Sequence, residues 1–441
     1  MRRTSSHQDA QGIEANFGMA SSMTPTAGRL RWMVQKNRHL IDSFMLHRAP
    51  EFVYAGRPRP LAGEIPVFTF HAVVPDLFEQ QCSFLARNGY RTLSAPEFLR
   101  CLAGGETPEN AIVLTFDDGL KQVWSVAHPI LAKYGLRAVC FLVPGCIPQN
   151  EERIRPTMAD VWRGKAAEAD VVGIRTGESP LATWGEIRCM RDAGTFDFHS
   201  HTMYHALVPV SDRVFDFAGP HYNTHFFGNI HVPLYTRDGQ DVYSREAPPG
   251  LPIFYALPRM QADRRFIPDE GLLSRCIERV EAEGGAAFLA RGDWRGVLRG
   301  IIADHGRQYG RLGRYELPEE RDRAVRRELE ESRREVEARL PGETVDHLCY
   351  PWFGGRPFAV QASREAGYRV GYFGQVPGRP TNRPGQDPLT VARVDELYLE
   401  RLPGAGRMDL RALIRRMFEL RSMPGRILPD RAGAAMAHTS A

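Results

Sequence analysis

The stretch Ala111-Ile-Val-Leu-Thr-Phe-Asp-Asp-Gly119 decides the architecture. Its first six residues are apolar or β-branched without a polar break, which reads as a strand covered on both faces. It then stops abruptly in two carboxylates and a glycine. Upstream, Ile65-Pro-Val-Phe-Thr-Phe70 is a second such run, and a helix over roughly 76–88, closed by Gly89, separates the two. Downstream, Val123, Ala127, Ile130, Leu131 and Tyr134 share one side of a helix ended by Gly135, and Ala138 to Val143 is a third strand. Continuous apolar strands alternating with helices predict a parallel sheet beneath helices.

The pattern resumes further along. A helix from Trp184 to Ala193 closes at Gly194 and leads into a strand at Phe196 to Phe198. An amphipathic helix covers 319–340, with Val325, Leu329, Val336 and Leu340 on its buried side. Strands follow at His347 to Tyr350 and Tyr368 to Phe373, on either side of a helix ending at Gly367. Residues 206 to about 318 interrupt the alternation. Within them, 215–260 is rich in aromatic residues, His, Pro and Gly and reads as long loops over the domain mouth, and 268–308 reads as helical.

The whole chain sets broad bounds. It has 441 residues, 43% hydrophobic and 25% charged, an ordinary globular composition that supports a sizeable core. Its 57 basic and 53 acidic residues leave a net charge of +4, which gives no reason to expect nucleic acid as a partner. Seven cysteines, an odd number without CxxC spacing, favour a reducing compartment over a disulfide framework or a zinc ribbon. With no apolar leader and no membrane-length apolar run, the expectation is a cytoplasmic protein with no integral membrane segment. Residues 1–60 read as a partly disordered N-terminal extension. It contains a helix near 30–45 carrying Leu30, Trp32, Met33, Leu40, Ile41, Phe44 and Met45. Residues 61–405 read as the main domain, and 406–441 as a helix and disordered tail.

Two clusters carry chemistry. Asp117 and Asp118 end a buried strand, the edge at which parallel α/β folds build their sites. Adjacent carboxylates repel, and a bound cation relieves them. Asp-Asp-Gly is also good turn chemistry, so this pair alone leaves a plain turn open. His201 and His205 follow another strand. Four apart on a helical turn, both imidazoles reach one ion. Two histidines and one carboxylate make a three-ligand set with room for water, the pattern of catalytic zinc.

These residues resemble a family. Thr115-Phe-Asp-Asp-Gly119 resembles the first motif of the polysaccharide deacetylase superfamily, and His201-Thr-Met-Tyr-His205 its second. Cys349-Tyr-Pro-Trp-Phe-Gly354 resembles the third. The stretches His128 to Leu136, Thr183 to Gly194 and Glu365 to Tyr368 resemble the connecting pieces. The resemblance implies an α/β fold, a distorted (β/α)7-type barrel with a large insertion between the second and third motifs. It implies a divalent metal, zinc by preference, held by Asp118, His201 and His205. It also implies a general base, Asp117, and an oxyanion donor at the Trp352 amide, with Trp352 and Tyr350 walling the sugar site.

The sequence departs from the family at two places. Cys349 stands where the family often has an arginine bracing the base, and Arg356 is the nearby candidate to replace it. The late histidine that serves as acid is missing, since only His438 follows His347. His71 and His199 are the candidates for acid or supporting roles, with His221, His225 and His231 of the insertion behind them. The implied activity is removal of an N-acetyl group from an amino sugar or glycan intermediate, small, lipid-linked or nucleotide-linked. The rival readings are a sugar deformylase or other C–N hydrolase on the same scaffold, and a catalytically silent glycan-binding homologue.

Overall fold

In a computed structural model, the quoted stretch forms the centre of a curled parallel sheet. The structure describes residue 44 and residues 46–149, 152–175, 178–219, 232–243 and 247–422. The helix expected near 30–45, apart from Phe44, lies outside these residues, as do His221, His225, His231 and the tail with His438.

The strands, in chain order, begin with β1 (Val67–Phe70), β2 (Arg91–Thr92), β3 (Ala111–Phe116), β4 (Ala138–Leu142) and β5 (Phe196–Ser200). The insertion contributes β6 (Leu207–Phe217), β7 (Tyr235–Arg237), β8 (Gln240–Val242), β9 (Pro252–Pro258), β10 (Phe266–Pro268) and β11 (Gly313–Tyr315). The domain resumes with β12 (His347–Cys349), β13 (Val370–Tyr372) and β14 (Val394–Asp395). The main sheet runs β13-β12-β5-β4-β3-β1-β14, all parallel, with β2 attached to the lower end of β3. Its two edges meet thinly. β14 pairs with β1, and just before it Val391 bridges Tyr372 of β13. The result is the expected distorted seven-stranded barrel.

Both faces of the sheet are buried, which explains the unbroken apolar strands. Along β3, Ile112, Leu114 and Phe116 pack into the large cluster beneath the surrounding helices. Val113 joins Val139, Phe141, Cys349, Val370 and Tyr372 in a second cluster on the inner face. The helix Ala95–Leu102 closes the bottom, capped by a Ser94–Glu97 box and tied to β5 by the Ala95 amide donating to Asp197 at 2.7 Å.

The insertion corrects one expectation. Much of 215–260 was expected as loop, yet β6 and β9 form a long antiparallel ribbon. Register shifts at Pro209/Val214 and Val214/Asp216 break the two-residue period, so no alternation was visible in the sequence. The helices Glu270–Ala282 and Trp294–Tyr309, expected in outline, build a separate small core with Phe217, Phe288 and Leu298. Arg259 is paired with Glu316 inside the insertion at 2.7 Å. Next to it, Gln261 donates to the carbonyls of Pro351 and Trp352 at 3.3 and 3.2 Å, fastening the insertion to the barrel's third motif.

Candidate metal and catalytic site

Asp117 and Asp118 hang from the upper end of β3. The Asp117 amide still donates to Phe70 of β1 at 2.9 Å, so the first carboxylate keeps the register of the sheet and points inward. Asp118 then turns to φ 72° and Gly119 to φ 69°. The left-handed turn reverses the chain and sends the second carboxylate toward β5. Nine described non-glycine residues have positive φ, and five of them lie in the three motifs: Asp118, Thr202, His205, Trp352 and Phe353. Backbone strain of this kind persists only where surrounding structure over-determines it, and it gathers at working sites.

On the facing strand, the His201 amide donates to Leu142 at 2.7 Å, extending the β4–β5 ladder by one residue. The His201 Nδ1–H donates to the Cys349 carbonyl at 2.8 Å, which leaves Nε2 as the lone-pair nitrogen. That Nε2 lies 3.4 Å from Asp118 Oδ1, and His205 Nε2 lies 4.0 Å from the same oxygen. The helical turn expected for His201 to His205 does not form. Thr202 and His205 take left-handed conformations at φ 65° and 53°, and the loop is held by Ser200 Oγ accepting from the Thr202 amide. Glu328 supports it from the helix Pro318–Arg339, through the Thr202 side chain and the Tyr204 backbone.

These donors suit a divalent cation. Asp118 Oδ1 is buried and has no hydrogen-bond partner among the described residues, although two imidazole nitrogens face it. Ligands 2.0–2.1 Å from a tetrahedral zinc are separated by about 3.3 Å, close to the observed spacing of Asp118 and His201. Electrostatics agree. Burial holds His201 down at about 4 and His205 well below the usual range, so both rings are neutral ligands at physiological pH. Burial and the neighbouring Asp117 charge push Asp118 well up, a penalty that a cation reverses.

Asp117 has the opposite environment. Burial alone would raise its carboxyl, but the Arg393 guanidinium holds it well below the carboxylate range. Arg393 grips both oxygens, Nη1 to Oδ1 at 2.7 Å and Nη2 to Oδ2 at 2.9 Å, and its Nε donates to the Phe373 carbonyl at 2.8 Å. Two adjacent carboxyls driven apart in this way mark different roles. Arg356 does not take the bracing position. It is exposed and paired with Asp263 on the insertion. Arg393 was missed in the sequence because it sits far downstream on β14's approach. Its signal was a lone charge inside the apolar run Thr390-Val-Ala-Arg-Val394.

The remaining candidates divide. His71 Nε2 lies 3.8 Å from Asp117 Oδ2, its side chain is 44% exposed, and its ring meets Phe353 edge-on at 5.9 Å. Trp352 and Phe353 form an exposed aromatic rim, with the Trp352 ring 5.9 Å from that of His205. Tyr350 does not wall the mouth. It is wholly buried, and its hydroxyl pairs with Ser363 at 2.7 Å. His199 is not at the mouth either, but inside the barrel, stacked on His347 at 4.5 Å. An acid role for His199 is thereby corrected, since its ring is buried within the barrel against His347.

Residues 104–214 match the family model described as polysaccharide deacetylase. A Bacillus subtilis chain, YxkH, that carries a polysaccharide deacetylase name is 33% identical over 89 residues, 18% of this chain and 32% of that one. A poly-β-1,6-N-acetyl-D-glucosamine N-deacetylase of Staphylococcus aureus is 29% identical over 80 residues, 18% of this chain and 28% of that one. The matched stretches thus span about a third of these relatives' length. Among solved structures, a de-N-acetylase from Aggregatibacter actinomycetemcomitans shares 17% identity over 80% of this chain and 99% of its own, with a TM-score of 0.43. A deacetylase domain from Bordetella bronchiseptica shares 16% over 77% and 97%, with a TM-score of 0.44.

Proposed function

We propose that this chain is a member of the polysaccharide deacetylase superfamily and a metal-dependent hydrolase releasing the acyl group from an N-acetylated amino sugar. The observation that carries the reading is the pairing of two unlike carboxylates: Asp118 facing two neutral histidines, and Asp117 ionised in the fork of Arg393. A silent metal binder has no use for the second.

A divalent ion, zinc by preference, held by Asp118, His201 and His205 would supply Lewis acidity to the acyl carbonyl and acidify a water. Asp117 accepts the proton of the attacking water as its oxygen adds to the carbonyl carbon. Arg393 keeps the base ionised and fixes the plane of its carboxylate. The Trp352 amide serves as the oxyanion donor. The C–N bond then breaks, and His71, beside Asp117 and open to solvent, delivers a proton to the departing amine. Acetate and a free amino sugar are the products. Trp352 and Phe353 give the sugar ring an apolar face to rest on.

The substrate class follows from chemistry and from the relatives' names. N-acetylglucosamine oligomers, including β-1,6-linked ones, are the first probes. A cytoplasmic location belongs to the same proposal, supported by an odd number of cysteines without CxxC spacing. Among the described residues, no helix is long and apolar enough to cross a membrane.

The test measures metal content and product release together. The parent should bind metal and release acetate, and Asp117→Asn should keep the metal and lose turnover. A parent that binds no metal after reloading refutes the mechanism, and formate from N-formyl substrates without acetate from N-acetyl ones points to a deformylase.

A further inference from the structure

One layer beneath the catalytic set, the barrel interior holds a second cluster that the reaction does not use. The pairing of Leu348 with Ser200 sets His347 of β12 beside His199 of β5. Their rings stack at 4.5 Å, 22° from parallel. Both are buried, and each has a nitrogen, His199 Nδ1 and His347 Nε2, shielded from solvent with no hydrogen-bond partner among the described residues. Leaving two buried ring nitrogens without partners is costly unless a further group meets their lone pairs.

Asp346 completes the set. Its Oδ1 lies 3.6 Å from His347 Nε2, and its other oxygen lies 3.6 Å from Arg369. The Tyr372 hydroxyl meets His347 Nδ1 at 2.9 Å, so Nε2 is the nitrogen left to face the carboxylate. A second group that orients a ring in this way accompanies almost every metal-bound histidine. One donor atom each from His199, Asp346 and His347 lie within 4.8 Å of one another. We propose that His199, His347 and Asp346 form a second divalent-cation site of the zinc type. Two imidazoles and one carboxylate select such an ion over calcium or magnesium, which prefer all-oxygen shells.

The place gives the site a purpose. β5 and β12 share a single paired position, Leu348 with Ser200, whereas β4 and β5 share five. His201 hangs from the end of β5 and is oriented by the Cys349 carbonyl at the end of β12. A cation joining His199 to His347 closes the seam on which the catalytic histidine depends.

The inference rests on this geometry and not on the proposed activity. The full chain is stripped with chelator, reloaded with Zn2+ or Co2+, desalted and counted by mass spectrometry. The expected content is two ions per chain for the parent, one for His201→Ala/His205→Ala, and one for Asp346→Asn. Zinc should also raise the melting temperature of the His201→Ala/His205→Ala variant, and adding Asp346→Asn should abolish that rise. Asp346 is at the half-buried edge, so its amide variant tests the site without emptying the core, and circular dichroism confirms the fold. One ion in the parent and none in a folded His201→Ala/His205→Ala chain overturns the second site while leaving the catalytic one standing.

Discussion

Arg393 offers the sharpest test of the site. Its guanidinium is 1% exposed and makes two charge-assisted bonds to Asp117, at 2.7 and 2.9 Å. Replacing it with methionine leaves a buried carboxylate with no guanidinium. Breaking one side of a buried pair costs about 3–5 kcal/mol of stability. Part of that cost is escaped by protonation, because burial, no longer opposed by Arg393, drives the Asp117 carboxyl upward. The base is then protonated over part of the working range. In the parent, Asp117 is ionised throughout, so its acid limb does not come from this group. In Arg393→Met a new limb should enter from the acid side, and kcat at neutral pH should fall about 10- to 1000-fold, equivalent to ~1.4–4 kcal/mol of barrier. Arg393→Lys should keep the charge but lose the fork, and should recover only part of the loss. The assay is acetate release against pH, beside urea unfolding and metal content. A parent-like kcat and pH profile in Arg393→Met, with metal retained, would refute the bracing role.

Other outcomes follow from the same geometry. Asp117→Asn should lower turnover about 100- to 10,000-fold, the usual worth of a positioned base, with bound metal unchanged. Gly374→Ala would set a Cβ 2.7 Å from the Phe353 Cβ, so it should displace the aromatic rim, cost about 1–3 kcal/mol and raise KM more than it lowers kcat. The metal-free protein should weaken in acid. His199 stays neutral in the fold down to about 3, while the unfolded chain takes up a proton below 6.5. Stability is therefore full above 6.5 and falls as pH drops toward 3, by about 2 kcal/mol at pH 5 for this residue alone. His199→Asn should flatten the slope of the unfolding free energy, read from urea titrations, against pH by the equivalent of about one proton; an unchanged slope would contradict the buried neutral ring.

Much was legible in the residues alone. Strands covered on both faces must be apolar throughout, so β1, β3 and β4 announced themselves, and the helices between them were marked by Gly89 and Gly135. Asp117, Asp118, His201 and His205 were visible because each stands immediately beyond a strand, where side chains converge whatever the rest of the chain does. What the residues did not reveal depends on distance and on local backbone. The His201–His205 loop is not helical, since its shape is set by Glu328 and Cys349, more than 120 positions away in the chain. The β6–β9 ribbon was hidden by bulges that destroy its period. Tyr350 and Trp352 are near neighbours of similar chemistry, yet one is buried and the other forms the rim, because the left-handed turn at Trp352 reverses the chain between them. The order of strands and ligands along the chain was thus determined by sequence, through local burial and turn chemistry. The partner of the base, the guanidinium of Arg393, was decided only when barrel closure brought β14 alongside β1, 276 positions from Asp117, because no local pattern encodes a contact that exists only once the sheet has curled.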